Sequence, residues 1–145
     1  MTIAGGVAEV WAYMCDLERW PEWAPTVREC WAAESAPLQP GSRVEQRAKG
    51  LFGSSRNRSQ GVTVVEAPRR LAFAGPMGTS AARWGMEFEP MDEEQTDAMM
   101  WVEVDRKNIM RAIPGPVLKG RIQRVMDREM ASIKAAVESA PPDTP

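Results

Sequence analysis

Val7-Ala-Glu-Val-Trp-Ala-Tyr-Met-Cys-Asp-Leu17, running into Trp20-Pro-Glu-Trp23, sets Val7, Val10, Trp11, Met14, Cys15 and Leu17 on one face at helical spacing. Pro21 suits the first turn of a second short helix but interrupts a continuous one. The stretch therefore predicts two short helices with an elbow near Glu18 to Trp20. Its counterpart lies at the other end of the chain. There Val117, Leu118, Ile122, Val125, Met126, Met130, Ile133 and Val137 form one apolar stripe. Lys119, Arg121, Gln123, Arg124, Asp127, Arg128 and Lys134 cover much of the opposite side. A helix from Val117 to Val137 would be about 31 Å long, enough to cross a whole sheet. Ile113-Pro-Gly-Pro116 leads into it, where proline is acceptable.

Between these helices the pattern changes to short alternating runs broken by turn residues. Thr26 to Glu34 reads as a strand, ended by the turn Ala36-Pro-Leu-Gln-Pro-Gly41. Ser42 to Lys49 alternates cleanly, with Val44, Gln46 and Ala48 on one face and Arg43, Glu45, Arg47 and Lys49 on the other. Gly50 to Ser55 reads as a loop. Further strands are predicted at Arg58 to Glu66, Arg69 to Ala74, Ala82 to Glu89 and Thr96 to Arg106. Trp84, Met86 and Phe88 share a face of one. Ala98, Met100, Val102 and Val104 share a face of the last. Residues 1–139 are expected to form one domain, and Ala140 to Pro145 a disordered tail.

Composition narrows the chemistry. The chain has 145 residues, 43% hydrophobic and 26% charged, with a formal charge of −2. Those are ordinary globular values, and the charge gives no global attraction to DNA, RNA or an anionic membrane. No apolar run approaches the roughly 20 residues of a membrane span. The start has no secretory pattern, so the cytoplasm is the expected location. There is no histidine, which removes Ser-His-Asp, Cys-His and His-zinc arrangements. Cys15 and Cys30 have no metal-ligand spacing and are expected to be free thiols. No metal and no cofactor is expected.

The order of these elements resembles the polyketide cyclase/dehydrase family, within the START-related superfamily of helix-grip folds (SRPBCC). Val10 to Asp16 followed by Trp20-Pro-Glu-Trp-Ala-Pro25 is similar to that family's opening helices. Pro40-Gly41-Ser42-Arg43 resembles the turn before its third strand. Val62-Thr-Val-Val-Glu-Ala-Pro-Arg-Arg-Leu-Ala-Phe73 resembles the strand pair that follows. Arg83-Trp84, Met86-Glu87-Phe88 and Gly115-Pro116 continue the likeness. The resemblance implies an α+β fold in which a curved antiparallel sheet of six to seven strands wraps around the long C-terminal helix and leaves a cavity. It does not by itself fix a function. Such domains usually begin with a full edge strand, and only Met1 to Gly6 precede the first helix. The first strand is thus expected to be short or truncated, and an open sheet edge there would favour a homodimer.

A cavity between sheet and helix would be lined by Trp31, Gln46, Phe73, Trp84, Met86, Phe88, Met100, Met126 and Met130, with Trp20 and Trp23 at its mouth. Ten methionines suit a surface that fits irregular ligands, although the same residues also suit a filled core. Gln46 falls on an apolar face, where an unpaired amide would cost about 1–3 kcal/mol, so it requires a partner. Trp31 and Trp101 have a second reading as interface residues. Arg43, Arg47 and Lys49, with Arg56 and Arg58 nearby, read either as a patch for a phosphopantetheine-bearing carrier protein or as a solvated strand face. No residue matches a catalytic signature. Arg58, Arg83, Tyr13 and Glu103 are the groups worth testing. Three functions stay open: a binder of a hydrophobic or aromatic small molecule, a cyclase or aromatase using the same pocket, and a dimeric interaction module with a filled core.

Overall fold

The computed structural model describes residues 1–34, 37–49, 55–77, 80–105 and 114–139. Of the expected loop from Gly50 to Ser55, residues 50–54 lie outside them, as does the tail from Ala140, and Ser55 opens a strand instead. Seven strands form one antiparallel sheet: β1 (Thr2–Ala4), β2 (Val27–Ala32), β3 (Arg43–Lys49), β4 (Ser55–Glu66), β5 (Arg70–Met77), β6 (Ser80–Pro90) and β7 (Gln95–Asp105). Their order across the sheet is β1-β7-β6-β5-β4-β3-β2. Helix α1 (Val7–Cys15) and a 3-10 helix (Leu17–Glu22) connect β1 to β2, and α2 (Gly115–Ser139) closes the chain. This is the α+β helix-grip arrangement. The elbow falls at Asp16, a little earlier than expected, where the backbone leaves helical geometry (φ −84°, ψ 91°). Pro21 sits inside the 3-10 helix.

Helix α1 buries Val10, Tyr13 and Met14. Trp11 meets Phe88 edge-on, with ring centroids 6.3 Å apart. At the other end of the chain, α2 buries Met130, Ile133 and Val137. These pack with Ile3, Val10, Met14, Phe88 and Met86 into one apolar core. Lys134 Nζ donates to the Thr2 carbonyl (2.9 Å), tying the end of α2 to β1. The first half of α2 is different. Val117 and Val125 are 46% and 50% exposed, and Leu118, Ile122 and Met126 are half-buried. The apolar stripe is continuous in sequence, but only its C-terminal half is seated.

A local irregularity decides which side chains of β2 face inward. A bulge between Val27 and Glu29 shifts the register of β2 against β3. An extra residue reverses the side-chain alternation beyond it. Val27 and Cys30 therefore point in, and Trp31 points out with 42% of its surface exposed. The expectation that Trp31 lines a cavity is overturned by that bulge. On the outer sheet face Trp101 pairs with Gly85. A Cβ on Gly85 would stand 2.9 Å from Trp101 Cζ2, so the indole covers the glycine, a cross-strand arrangement that protects bare backbone. Trp101 is thus largely used within the chain. Gly41 turns the chain into β3 with φ +96°, a conformation that suits glycine.

Candidate functional site

Because the first half of α2 is not seated on the sheet, a cavity of about 220 Å³ opens between them. Trp20, Trp23 and Trp84 form its aromatic wall, Met100 and Val102 of β7 its side, and Val125 and Glu129 of α2 its cover. The aromatic wall is closely packed. Phe73 stacks on Trp84 at 4.5 Å and 20°. Trp20 touches Trp23, Phe73 and Trp84 at 5.2, 5.3 and 5.5 Å between ring centroids. Its indole N–H donates to the Met14 carbonyl at 2.9 Å. Trp23 Nε1 is buried with no hydrogen-bond partner among the described residues.

The floor is polar and ordered by strand register. Cys30, Gln46 and Arg58 stand opposite one another on β2, β3 and β4. Gln46 is only 2% exposed, and its partners are protein groups. Arg58 Nε donates to Gln46 Oε1 at 2.6 Å, and Gln60 Nε2 donates to the same oxygen at 3.4 Å. Trp84 Nε1 donates to Gln60 Oε1 at 2.8 Å. Arginine and tryptophan can only donate, so both amides are oriented from the two ends of this ladder. Both oxygens already accept, Gln46 Oε1 twice, and each amide keeps N–H to offer a guest. Gln46 Nε2 lies 4.0 Å from Cys30 Sγ. Burial pushes the Cys30 thiol up to about 12 and the Cys15 thiol up to about 11, so neither is a ready nucleophile. Both cysteines are free.

Glu129 is the group that sequence reading passed over. It sits four residues from Val125 and four from Ile133, on the apolar side of α2, and that spacing was the available signal. Burial pushes its carboxyl up to about 7, and the charge of Arg58 pulls it part of the way back. Glu129 and Arg58 are the two ionisable side chains among the described residues that line the cavity.

Of the expected lining, Gln46, Trp84 and Met100 border the cavity. Trp20 and Trp23 border it too, but as buried wall rather than mouth, at 1% and 2% exposure. Phe73 lies behind the aromatic wall, stacked on Trp84, and Met86, Phe88 and Met130 lie in the packed core, where the seated half of α2 fills that end of the sheet. Met126 is half-buried and outside the lining. Arg58 points inward rather than joining an exposed patch. In that patch Arg43 meets Glu45 at 3.0 Å and Arg47 meets Glu29 at 3.6 Å, so the face carries mixed charge. Arg83 and Glu103 pair at 2.8 Å, both exposed. The Tyr13 hydroxyl donates to Glu22 at 3.2 Å, and burial holds its pKa above the usual range. Among the described residues no cluster of three or more His, Cys, Asp or Glu could hold a metal. No described helix is long and apolar enough to cross a membrane.

The family model described as polyketide cyclase / dehydrase and lipid transport matches residues 1–138. The chain belongs to this family. No curated protein matches it in sequence. Among solved structures it is similar to a START superfamily protein from Mycobacterium smegmatis, with TM-score 0.77, 16% identity, and coverage of 95% of this chain and 93% of that one. The Zhui aromatase/cyclase from Streptomyces sp. R1128 gives TM-score 0.70 at 12% identity, with 95% and 90% covered. The di-domain aromatase/cyclase BexL of the BE-7585A biosynthetic pathway gives 0.74 at 17%, with 95% of this chain and 44% of that one covered. At such identities the likeness is one of fold. Family membership accounts for the sheet gripping a terminal helix. The ladder of Arg58, Gln46, Gln60 and Trp84 is read from this chain's own geometry.

Proposed function

We propose that the protein binds a small aromatic molecule of one or two rings, bearing a hydrogen-bond acceptor, in the cavity under the first half of α2. The observation that carries this reading is the three-tryptophan wall facing a floor that keeps amide N–H groups to spare. A cavity of about 220 Å³ is below the roughly 300 Å³ typical of pockets for drug-sized ligands, which favours a compact guest. Burial of the guest's apolar surface, at about 25 cal/mol per Å², drives binding, and the amide N–H groups orient a carbonyl oxygen. A filled-core interaction module fits this interior less well.

Acetonaphthone, a two-ring ketone, is a suitable test ligand. Val102 lies opposite Trp84 in register and lines the cavity, so Val102→Trp should place an indole in the space the ligand needs. Calorimetric titration should show affinity falling at least about tenfold, with little change in melting temperature. Equal affinity in the two proteins would remove the cavity as the binding site.

A second reading, catalysis of the cyclase or aromatase kind in the same cavity, is favoured by Glu129 and Arg58. A carboxylate with a pKa near the working pH is suited to taking a proton from carbon beside a bound carbonyl. The C–H bond breaks, the proton passes to Glu129, and the electron pair moves to the carbonyl oxygen beside the donor floor. In heavy water the protein should then catalyse deuterium incorporation into the methyl group of acetonaphthone, and Glu129→Gln should lose that catalysis. Exchange no faster than in buffer would leave binding as the function.

A further inference from the structure

The cavity has one polar end, and its two charges come from different layers. Arg58 rises from β4, with Nε held by Gln46. Glu129 descends from α2 and has no hydrogen-bond or ion-pair partner among the described residues. The residues one turn away on its own helix are Val125, Met126, Ser132 and Ile133, none of them charged. The lining contributed by the 3-10 helix and the residue after it, β6 and β7 includes Trp20, Trp23, Trp84, Met100 and Val102 and no titratable side chain. Arg58 is thus the ionisable side chain that shares this lining with Glu129, and the state of Glu129 decides whether the two together carry a charge of +1 or none.

We infer that Glu129 is a charge filter: the cavity admits aromatic carboxylates while Glu129 is protonated and turns them away once it is ionised, whereas neutral aromatic ketones enter in either state. This rests on the binding reading above. With Glu129 neutral, a ligand carboxylate meets Arg58, the amide N–H groups and an additional O–H donor. With Glu129 ionised, two carboxylates share a poorly solvated space and repel. A ketone oxygen has no charge to be repelled. Burial puts the Glu129 carboxyl at about 7, so the changeover falls near neutrality.

Two ligands of similar size, naphthoate and acetonaphthone, test it by calorimetric titration between about pH 5.5 and 8.5, where naphthoate remains ionised throughout. The unmodified protein should lose about tenfold in naphthoate affinity across that range, the effect of about 1.4 kcal/mol of repulsion, and hold acetonaphthone equally well throughout. Glu129→Gln should abolish the naphthoate slope. A flat naphthoate profile in the unmodified protein, or the same slope in Glu129→Gln, overturns the filter while acetonaphthone binding still supports the cavity. Failure of both ligands to bind overturns the binding reading and the filter together.

Discussion

Replacing Trp20 with alanine should destabilise the protein by about 4 kcal/mol, within the range for truncating a buried large aromatic. Trp20 is 1% exposed and is the ring on which Trp23, Phe73 and Trp84 converge. Its indole N–H also satisfies the Met14 carbonyl near the end of α1, so truncation leaves a buried acceptor open. The space vacated would merge with the existing cavity, where water can enter, which keeps the cost from rising further. A domain of this kind has only about 5–15 kcal/mol to lose. Urea denaturation should show a lower midpoint with an unchanged slope. Trp20→Phe should recover most of that loss, because it restores a ring but not the donor. A loss below about 2 kcal/mol in Trp20→Ala would mean that the neighbouring rings close the gap themselves.

Gly85→Val should cost about 3 kcal/mol, by crowding rather than by a void. A Cβ at this position would stand 2.7 Å from the Leu71 carbonyl oxygen and 3.0 Å from Ala72 Cβ, besides its approach to Trp101. The indole can swing outward, but the carbonyl belongs to a strand paired along its length with β6. It cannot withdraw without weakening that ladder. Thermal denaturation should show a clear drop for Gly85→Val and a smaller one for Gly85→Ala. Because part of the clash is with Trp101, the cost of Gly85→Ala should shrink in a Trp101→Ala background, a coupling expected of residues in contact. An unchanged melting temperature in Gly85→Val would show that β5 and β6 stand further apart than the close contacts at Gly85 require.

The fold was legible in the sequence because its signals are periodic. The stripe of α2, the alternation of β3 and the shared face of Trp84, Met86 and Phe88 all survive into the structure. Gln46 was identifiable as an inward polar group since β3 runs without a bulge. Trp31 was misplaced for the opposite reason: an extra residue in β2 reverses the alternation, and nothing in Val27-Arg-Glu-Cys-Trp31 announces it. The choice among Phe73, Met86, Phe88, Met100 and Met130 was not legible either. Periodicity says which face is apolar, but not where the helix is seated and where it stands away. Glu129 was readable in principle. An acid four residues from both Val125 and Ile133 breaks the stripe, yet it passes easily for one more charge on an amphipathic helix.

The division of α2 into a seated half and an unseated half separates two kinds of selection. Changes around Met130, Ile133 and Val137 bear on whether the molecule holds together, whereas changes around Val125 and Glu129 bear on what it accommodates. Evolution can therefore retailor the accommodating end without renegotiating the anchor. That independence offers a physical reason why one architecture persists among proteins sharing fewer than one residue in five with this chain.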